Sequence, residues 1–484
     1  MTTYMNFIAN EWSAAFDGRT VEVHDPSTGE VFAHIARSGG SEVGRAVQAA
    51  RHAFEGEWGN MAPAARSRLI LRIAQALLDH ADELAAIEQR DTGKPSRQAH
   101  ADALAAARYF EFYGGAVDKL HGQTIPYPQD YTVFTLREPH GVTGHIVPWN
   151  YPLQIFGRSV AASLAAGNAC VVKPAEDACL SLLRVAEIAA EVGLPAGALN
   201  IVTGLGIEAG AALAAHPGID HISFTGSPQT GQAVQQAAAA NFVPVTMELG
   251  GKSPQLVFSD ADIESALPVL LNAIIQNAGQ TCSAGSRVLI QRAVYSDVMG
   301  RLAELFEATR TGAAADDPDC GPLINARQLS RVKEFLSEAD SAGISVVARG
   351  QLDANAPKEG YYQVPVLLGD VPPDHRLAQE EIFGPVLCAI PFDTEEEAIE
   401  VANGTAYGLV AGVWTQDGGR QFRMVRRLRA GQVFVNNYGA GGGVELPFGG
   451  SGQSGYGRDK GFEALYGFTR LKTVSLRHGH PARS

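Results

Sequence analysis

Between residues 141 and 250, short apolar runs alternate with longer stretches whose apolar residues recur every three or four positions. Gly141–Val147, Ala169–Val172, Leu199–Val202, His221–Phe224 and Val243–Met247 read as strands. Pro152–Ala166 and segments 178–192, 207–215 and 229–240 read as the helices between them. Such alternation predicts βαβ units with right-handed crossovers and a parallel sheet. Five strands are counted before the pattern changes, so the sheet is expected to be open.

A second α/β series follows, with a boundary expected at Gly250-Gly251. Its elements are Gln255–Phe258, a helix over 263–276, Arg287–Ile290, and strands near 344–348, 386–390, 409–414 and 432–435. Upstream, Arg66–Arg90 carries one helical stripe of Leu69, Ile70, Ile73, Ala74, Leu77, Leu78, Leu84 and Ile87, stopped by Thr92-Gly93-Lys94-Pro95. Tyr131–Arg137 and Leu471–Leu476 read as edge strands that pair with each other or with a second subunit. There is no internal repeat and no low-complexity linker.

Composition narrows the class. The chain has 484 residues, 45% of them hydrophobic and 19% charged, so it can bury substantial cores in two or three domains. A net charge of -14 argues against a nucleic-acid partner. No apolar run reaches the ~18 residues of a membrane span, and no basic segment precedes an apolar one near Glu11 and Asp17. Five irregularly spaced cysteines argue for a reducing compartment, and a cytoplasmic protein is expected.

The candidate chemistry lies at the strand ends. Pro148-Trp149-Asn150, Lys173-Pro174-Ala175-Glu176, Thr203-Gly204-Leu205-Gly206, Thr225-Gly226-Ser227 and Glu248-Leu249-Gly250-Gly251 each follow a strand. Ligands of open α/β sheets bind outside the carboxyl ends of the strands. Phe224-Thr225-Gly226-Ser227 opens a helix, so its backbone N–H groups would face a phosphate. An ordinary N-cap serine has the same appearance, and only the neighbouring strand ends favour a ligand. Glu176 could accept both ribose hydroxyls of an adenosine and would repel a 2′-phosphate, which points to NAD over NADP. Two glycine runs, Gly450–Gly455 and Gly204–Ala209, match a dinucleotide fingerprint in letters but not in context.

Cysteines are usually small buried hydrophobes, and Cys170, Cys179, Cys320 and Cys388 fit that description. Cys282 differs: Gly279-Gln280-Thr281-Cys282-Ser283 is glycine-containing, polar and aperiodic, a setting able to present a thiol and favour its thiolate. Glu248 closes a strand, where partial burial would raise a carboxyl toward neutrality and suit a general base. Asn150 carries an amide able to donate to an oxyanion. Neither H-x-x-x-H nor C-x-x-C occurs, so no metal site is expected.

Together these motifs resemble the aldehyde dehydrogenase superfamily. Met247–Pro254 and Gly279–Cys282 look like its two active-site signatures. Pro148–Pro152, Lys173–Glu176, Phe224–Ser227, Glu381–Pro385 and Pro447–Gly450 accompany them in family order across nearly the whole chain. The resemblance implies a Rossmann-like NAD domain over 1–118 and 140–249, a catalytic domain over 250–455, and a small β oligomerisation arm over 119–139 and 456–484. It implies a homodimer or homotetramer that oxidises a small-molecule aldehyde. Cys282 would be the nucleophile, Glu248 the base for the deacylating water, and Asn150 with the Cys282 amide the oxyanion hole. Lys173 and Glu176 would hold the adenosine ribose, Gly226 and Ser227 the pyrophosphate, and Glu381 and Phe383 the nicotinamide end. Val147, Pro148, Trp149, Gly206, Phe224 and Leu249 complete the expected cofactor set. Relatives that transfer the acyl group to coenzyme A tend to lack a glutamate at position 248, so hydrolysis is expected.

The expected substrate mouth comprises Tyr151, Gln154, Ile155, Arg158, Tyr438 and Phe448. Arg158 stands where succinate-semialdehyde dehydrogenases resemble one another in carrying an arginine, which suggests an aldehyde bearing a carboxylate. A structural arginine is the competing reading, and a broad-specificity aromatic or aliphatic aldehyde dehydrogenase the alternative function. The subfamily's usual Lys/Arg pair is here Arg158-Ser159, and Gly439–Gly443 departs from common family loops. A cofactor-free cysteine hydrolase or a non-catalytic relative would leave the strand-end motifs unexplained.

Overall fold

The five expected strands form the middle of an eight-stranded sheet in the computed structural model, which describes residues 2–439 and 443–479. Val142–Val147 lies centrally. Ala169–Pro174 and Leu199–Ile201 follow on one side, and His221–Thr225 and Val245–Glu248 on the other, all parallel. The chain therefore reverses its direction of sheet building between 142–147 and 221–225, the switch point at which such sheets bind ligands.

The sequence count of five is exceeded because antiparallel strands extend both edges. Asn6–Ile8 and Glu11–Ser13 extend one edge, and Gly455–Tyr456 pairs with Met247 and Glu248 at the other. These additions are two or three residues long, too short to leave an alternating signature. The Arg66–Arg90 stripe is two helices, Pro63–Asp79 and Ala81–Thr92, broken at His80. The break shifts the apolar phase: Leu78 is exposed, while Glu88 and Asp91 turn inward. Pro152–Ala166 is continuous but contains a π-helical turn, Gly157–Ala161, which carries Arg158 inward.

The second sheet has seven strands, parallel except for the Ser345–Arg349 edge. Its fourth strand along the chain, Val366–Gly369, carries no polar alternation because every residue is buried, and it was not anticipated. Both faces are covered. Leu256, Leu289, Val386 and Cys388 enter one apolar cluster, while Val257, Val288, Ile290 and Leu387 enter another. Alternate residues point to opposite faces, as a strand requires.

The two edge strands pair with each other. Thr469–Arg477 runs antiparallel to Tyr131–Pro139 along their whole length, with Thr124–Ile125 beyond. In the helix before the second of them, Gly461–Gly467, Ala464 and Leu465, with Phe468 just after it, pack into the first sheet's core. Phe468 is the centre of a histidine stack. His145 and His221 lie 5.6 and 5.1 Å from its ring, and His140 stacks on His221.

Burial holds His145 at about 3, far below its ordinary 6.5. The native chain therefore refuses a proton that the unfolded chain accepts below pH 6.5, and stability falls as pH drops through that window. Buried carboxylates work in the opposite sense, so the test is differential. His145→Gln should flatten the pH dependence of unfolding free energy between pH 6.5 and 4, by on the order of 1 kcal/mol per pH unit. Parallel wild-type and variant curves in denaturant titrations would contradict it.

Candidate active site

The loop bearing Cys282 is set by three successive left-handed residues. Asn277 has φ 49° and Ala278 φ 52°, both unusual for residues with a side chain, and Gly279 follows at φ 73°. Each strained non-glycine residue costs about 1–3 kcal/mol and persists only where its surroundings dictate it. Here they do. Asn277 N–H donates to Gln98 Oε1 at 2.9 Å, and its carboxamide donates to the carbonyls of Asn150 (2.9 Å) and Gln280 (3.2 Å). A Cβ on Gly279 would lie 2.2 Å from the Gly384 carbonyl oxygen, so the loop lies directly against Phe383-Gly384-Pro385.

Cys282 is the one cysteine among the described residues that is not fully buried. Leu409, Val410, Phe434, Tyr438 and Phe448 surround it. Tyr438 donates its hydroxyl to the Ser283 carbonyl at 2.6 Å, and Tyr151 bonds the Thr281 hydroxyl at 2.8 Å. The expectation of a ready thiolate is corrected by this enclosure. Burial pushes the thiol up to about 11, with the nearby Arg158 guanidinium the main influence opposing it.

Asn150 reaches the same loop, donating through Nδ2 to the Gln280 carbonyl at 2.9 Å. Glu248 lies close by: a Cβ on Gly251 would meet the Cys282 carbonyl at 2.4 Å, and one on Gly449 would meet Glu248 Oε1 at 2.8 Å. Glu248 is fully rather than partly buried, and neither carboxylate oxygen has a hydrogen-bond partner. Burial and the neighbouring Asp459 carboxylate push its pKa well above the usual range, against Arg158 and Arg458.

Arg158 is paired within the chain. Its Nε lies 2.7 Å from Asp459 Oδ2, its Nη2 donates to Thr225 Oγ1 at 3.2 Å, and its guanidinium lies 5.2 Å from the Phe448 ring centroid. Both partners of the ion pair are buried. Gln154 is also committed, donating to Asp102 Oδ1 at 2.5 Å. Asp102 belongs to a buried Glu88–Lys94–Asp102 cluster, and the Lys94 ammonium stands 4.1 Å from the centroid of the Tyr151 ring. Ile155 is buried in the first core. Of the Gly439–Gly443 loop, residues 440–442 lie outside the described residues.

The residues expected to face a dinucleotide line the same edge. Lys173 Nζ bonds Glu176 Oε2 at 2.7 Å, and Gly206 N–H points at Glu176 Oε1 from 3.4 Å. Ser227 caps the helix Pro228–Ala239 by accepting from Thr230 N–H at 3.2 Å. Gly226 sits tightly, since a Cβ there would lie 2.6 Å from the Phe224 ring, and Leu249 packs beneath Gly231. Val147 is buried at the strand end beside Pro174, with Pro148 following. Trp149 meets Phe383 edge-on at 5.4 Å. Glu381 accepts from Gly251 N–H at 2.9 Å, and burial raises it to about 7. A strand-end carboxylate, a helix amino end and glycines too crowded for a Cβ fit a ribose–pyrophosphate ligand.

The sequence reading did not single out Asp459, Lys460, Asn277 or the Glu88–Lys94–Asp102 cluster. A signal for the first two exists: Arg458-Asp459-Lys460 is a charged run flanked by Gly457 and Gly461. Asn277 carries no such mark.

An enclosed thiol, a strand-end carboxyl and a carboxamide converging beside a dinucleotide edge define an oxidoreductase site with covalent capability. Residues 12–474 match the sequence model of the aldehyde dehydrogenase family. A curated aldehyde dehydrogenase of Emericella nidulans is 40% identical over 475 residues, covering 98% of this chain and 95% of that one. A crystal structure from Burkholderia cenocepacia, provisionally named an aldehyde dehydrogenase, superposes with a TM-score of 0.97 at 68% identity, covering 98% of this chain and all of that one. The NAD+ complex of a Bacillus cereus aldehyde dehydrogenase gives 0.95 at 40% identity, covering 98% and 96%. The chain belongs to the aldehyde dehydrogenase family.

The enclosed thiol has a measurable consequence. Alkylation of Cys282 by iodoacetamide should be slow at pH 7 and rise toward pH 10 and beyond. Arg158→Met, which removes the principal charge favouring the thiolate, should move that rise to higher pH. A variant curve lying at or below the wild-type pH would show that Arg158 does not reach the thiol.

Proposed function

We propose that the chain oxidises a neutral aldehyde to its carboxylic acid through a covalent intermediate on Cys282, with NAD as the oxidant and Glu248 activating the deacylating water. The observation that carries this reading is the convergence of Cys282, Asn150 and Glu248 within one enclosed site. Once its proton has left, the Cys282 sulfur adds to the carbonyl carbon and the carbonyl electron pair moves to oxygen. The second N–H of Asn150 Nδ2 and the Cys282 backbone amide supply donors for that oxyanion. NAD, when bound, would supply the hydride acceptor for this carbon. The oxyanion pair then reforms the C=O bond, leaving a thioester on Cys282. Glu248 takes a proton from water, the resulting hydroxyl adds to the thioester, and the sulfur departs as the acid is released.

Lys173 and Glu176 would hold the adenosine ribose, and the carboxylate beside it disfavours a 2′-phosphate. Gly226 and Ser227 would hold the pyrophosphate at the helix start, and Glu381 with Phe383 the nicotinamide end. We assign 1–118 with 140–249 to cofactor binding and 250–455 to catalysis. The arm leaves Leu136, Leu471 and Leu476 exposed, which supports a homodimer or homotetramer. Buried unpaired cysteines support a reducing, cytoplasmic setting.

Substrate neutrality rests on the Arg158–Asp459 pair, which satisfies the arginine within the chain. Tyr151, Tyr438 and Phe448 give the aldehyde an aromatic surround, with the Lys94, Arg158 and Lys460 cations standing against the Tyr151 and Phe448 rings.

Three variants test these readings. Cys282→Ser should abolish aldehyde-dependent NADH formation while NAD still binds. Glu248→Gln should retain a burst of about one NADH per site and then turn over at least ~100-fold more slowly, general base catalysis contributing about 10²–10⁴; a normal steady-state rate would remove the base role. For the substrate, Arg158→Ala should lower kcat/KM for succinate semialdehyde and butanal by the same factor, within about threefold. A loss confined to the acid would reinstate an anion-binding arginine.

A further inference from the structure

Lys460 is buried as deeply as the residues of the site itself, with 2% of its surface accessible. It occupies a left-handed backbone position, φ 62°, uncommon for a residue with a long side chain. Its ammonium lies 5.8 Å from the centroid of the Tyr109 ring and 5.3 Å from that of Phe448, the ring that also carries the Arg158 guanidinium. The adjoining Asp459 fixes this position, exchanging backbone hydrogen bonds with Phe448 in both directions at 2.7 and 2.8 Å. The next residue along the chain from Phe448, Gly449, lies against Glu248.

Lys460 thus belongs to a buried group of four charges drawn from separate elements. Arg158 comes from the helical segment 152–166, Glu248 from the end of the 245–248 strand, and Asp459 and Lys460 from the C-terminal loop. Cys282 and Tyr109 are the further titratable neighbours, and Arg458 lies toward Glu248. Arg158 is matched by Asp459 at 2.7 Å. That leaves Glu248, whose oxygens have no hydrogen-bond partner, to be charged only in the field of a second cation.

We propose that Lys460 is a positioning residue for deacylation, its buried ammonium holding Glu248 in the charged, proton-accepting form. The proposal rests on the reading of Glu248 as base. With Lys460 protonated and Glu248 ionised, the four groups sum to zero. Without the lysine, the same state would leave Glu248 to the partly exposed Arg458 alone, and Glu248 would hold its proton to higher pH. Burial works against both charges, and Glu248 is among the groups that oppose it at Lys460. Burial and Arg158 pull Lys460 down to about 7, Asp459, Cys282 and Glu248 oppose that pull, and burial lifts Glu248.

The test is the pH dependence of acyl-enzyme hydrolysis after the NADH burst, followed from pH 6 to 9.5. Lys460→Met should move the acid limb up by about one pH unit, an approximately tenfold slower deacylation at pH 7. Lys460→Arg, which restores the charge, should return the limb to the wild-type position. Lys460→Gln gives the same comparison should the methionine variant not fold. An acid limb left at the wild-type pH by the neutral variants, whatever their rate, assigns Lys460 a packing role and overturns the proposal. Glu248→Gln in the same assay separates the two readings. If it keeps the wild-type limb, the base lies elsewhere and the reading of Glu248 falls. If it loses the limb while Lys460→Met keeps it, only the role of Lys460 falls.

Discussion

One carboxamide joins the two halves of the site. Asn277 donates to the Asn150 carbonyl, at the end of the first sheet's central strand, and to Gln280, two residues before Cys282. Asn150 returns a bond to the same Gln280 carbonyl. The Cys282 loop and Asn150 are thus held to one geometry although they arise about 130 residues apart. Reactions of this class depend on such fixed distances, since a displacement of an ångström at the reacting atoms costs about 10²-fold in rate. Two left-handed residues and a crowded glycine sustain the arrangement, and the hydrogen bonds around them outweigh the strain.

The site is otherwise an exercise in keeping charge inside a protein. Glu248, Arg158, Asp459 and Lys460 are all withdrawn from water, as are Glu88, Lys94 and Asp102 beneath Tyr151. Isolated ions do not persist in such surroundings; they pair or change protonation state. Arg158 is paired with Asp459. Enclosure also explains the resting thiol. Burial raises the Cys282 pKa, with the Arg158 guanidinium opposing it.

Much of this was legible in the sequence, and for physical reasons. Parallel strands buried on both faces leave apolar runs, and strand ends near a ligand leave glycines and polar groups, so the cofactor edge, Cys282, Glu248 and Asn150 stood out. What stayed hidden depends on contacts between distant segments. Arg158 reads alike whether it faces a channel or an aspartate 301 positions later, and only the fold supplies Asp459. The break at His80 escaped because both helices carry apolar residues at helical spacing and differ only in phase. Val366–Gly369 and the short edge strands escaped for want of any alternation.

The C-terminal segment gives the chain an order of completion. Gly455 pairs with Glu248, Ser454 bonds Leu249 and Gly250, and Phe448 and Asp459 wall in the carboxylate and the arginine. Ala464, Leu465 and Phe468 then close the first core, more than two hundred residues after its last central strand. A chain cut before residue 440 would contain Cys282, Asn150 and the strand-end loops. Glu248 would still stand at an open sheet margin, and Arg158 would lack its Asp459 counter-ion. Residues 448–468 are the part of the chain that closes Glu248 and Arg158 off from water.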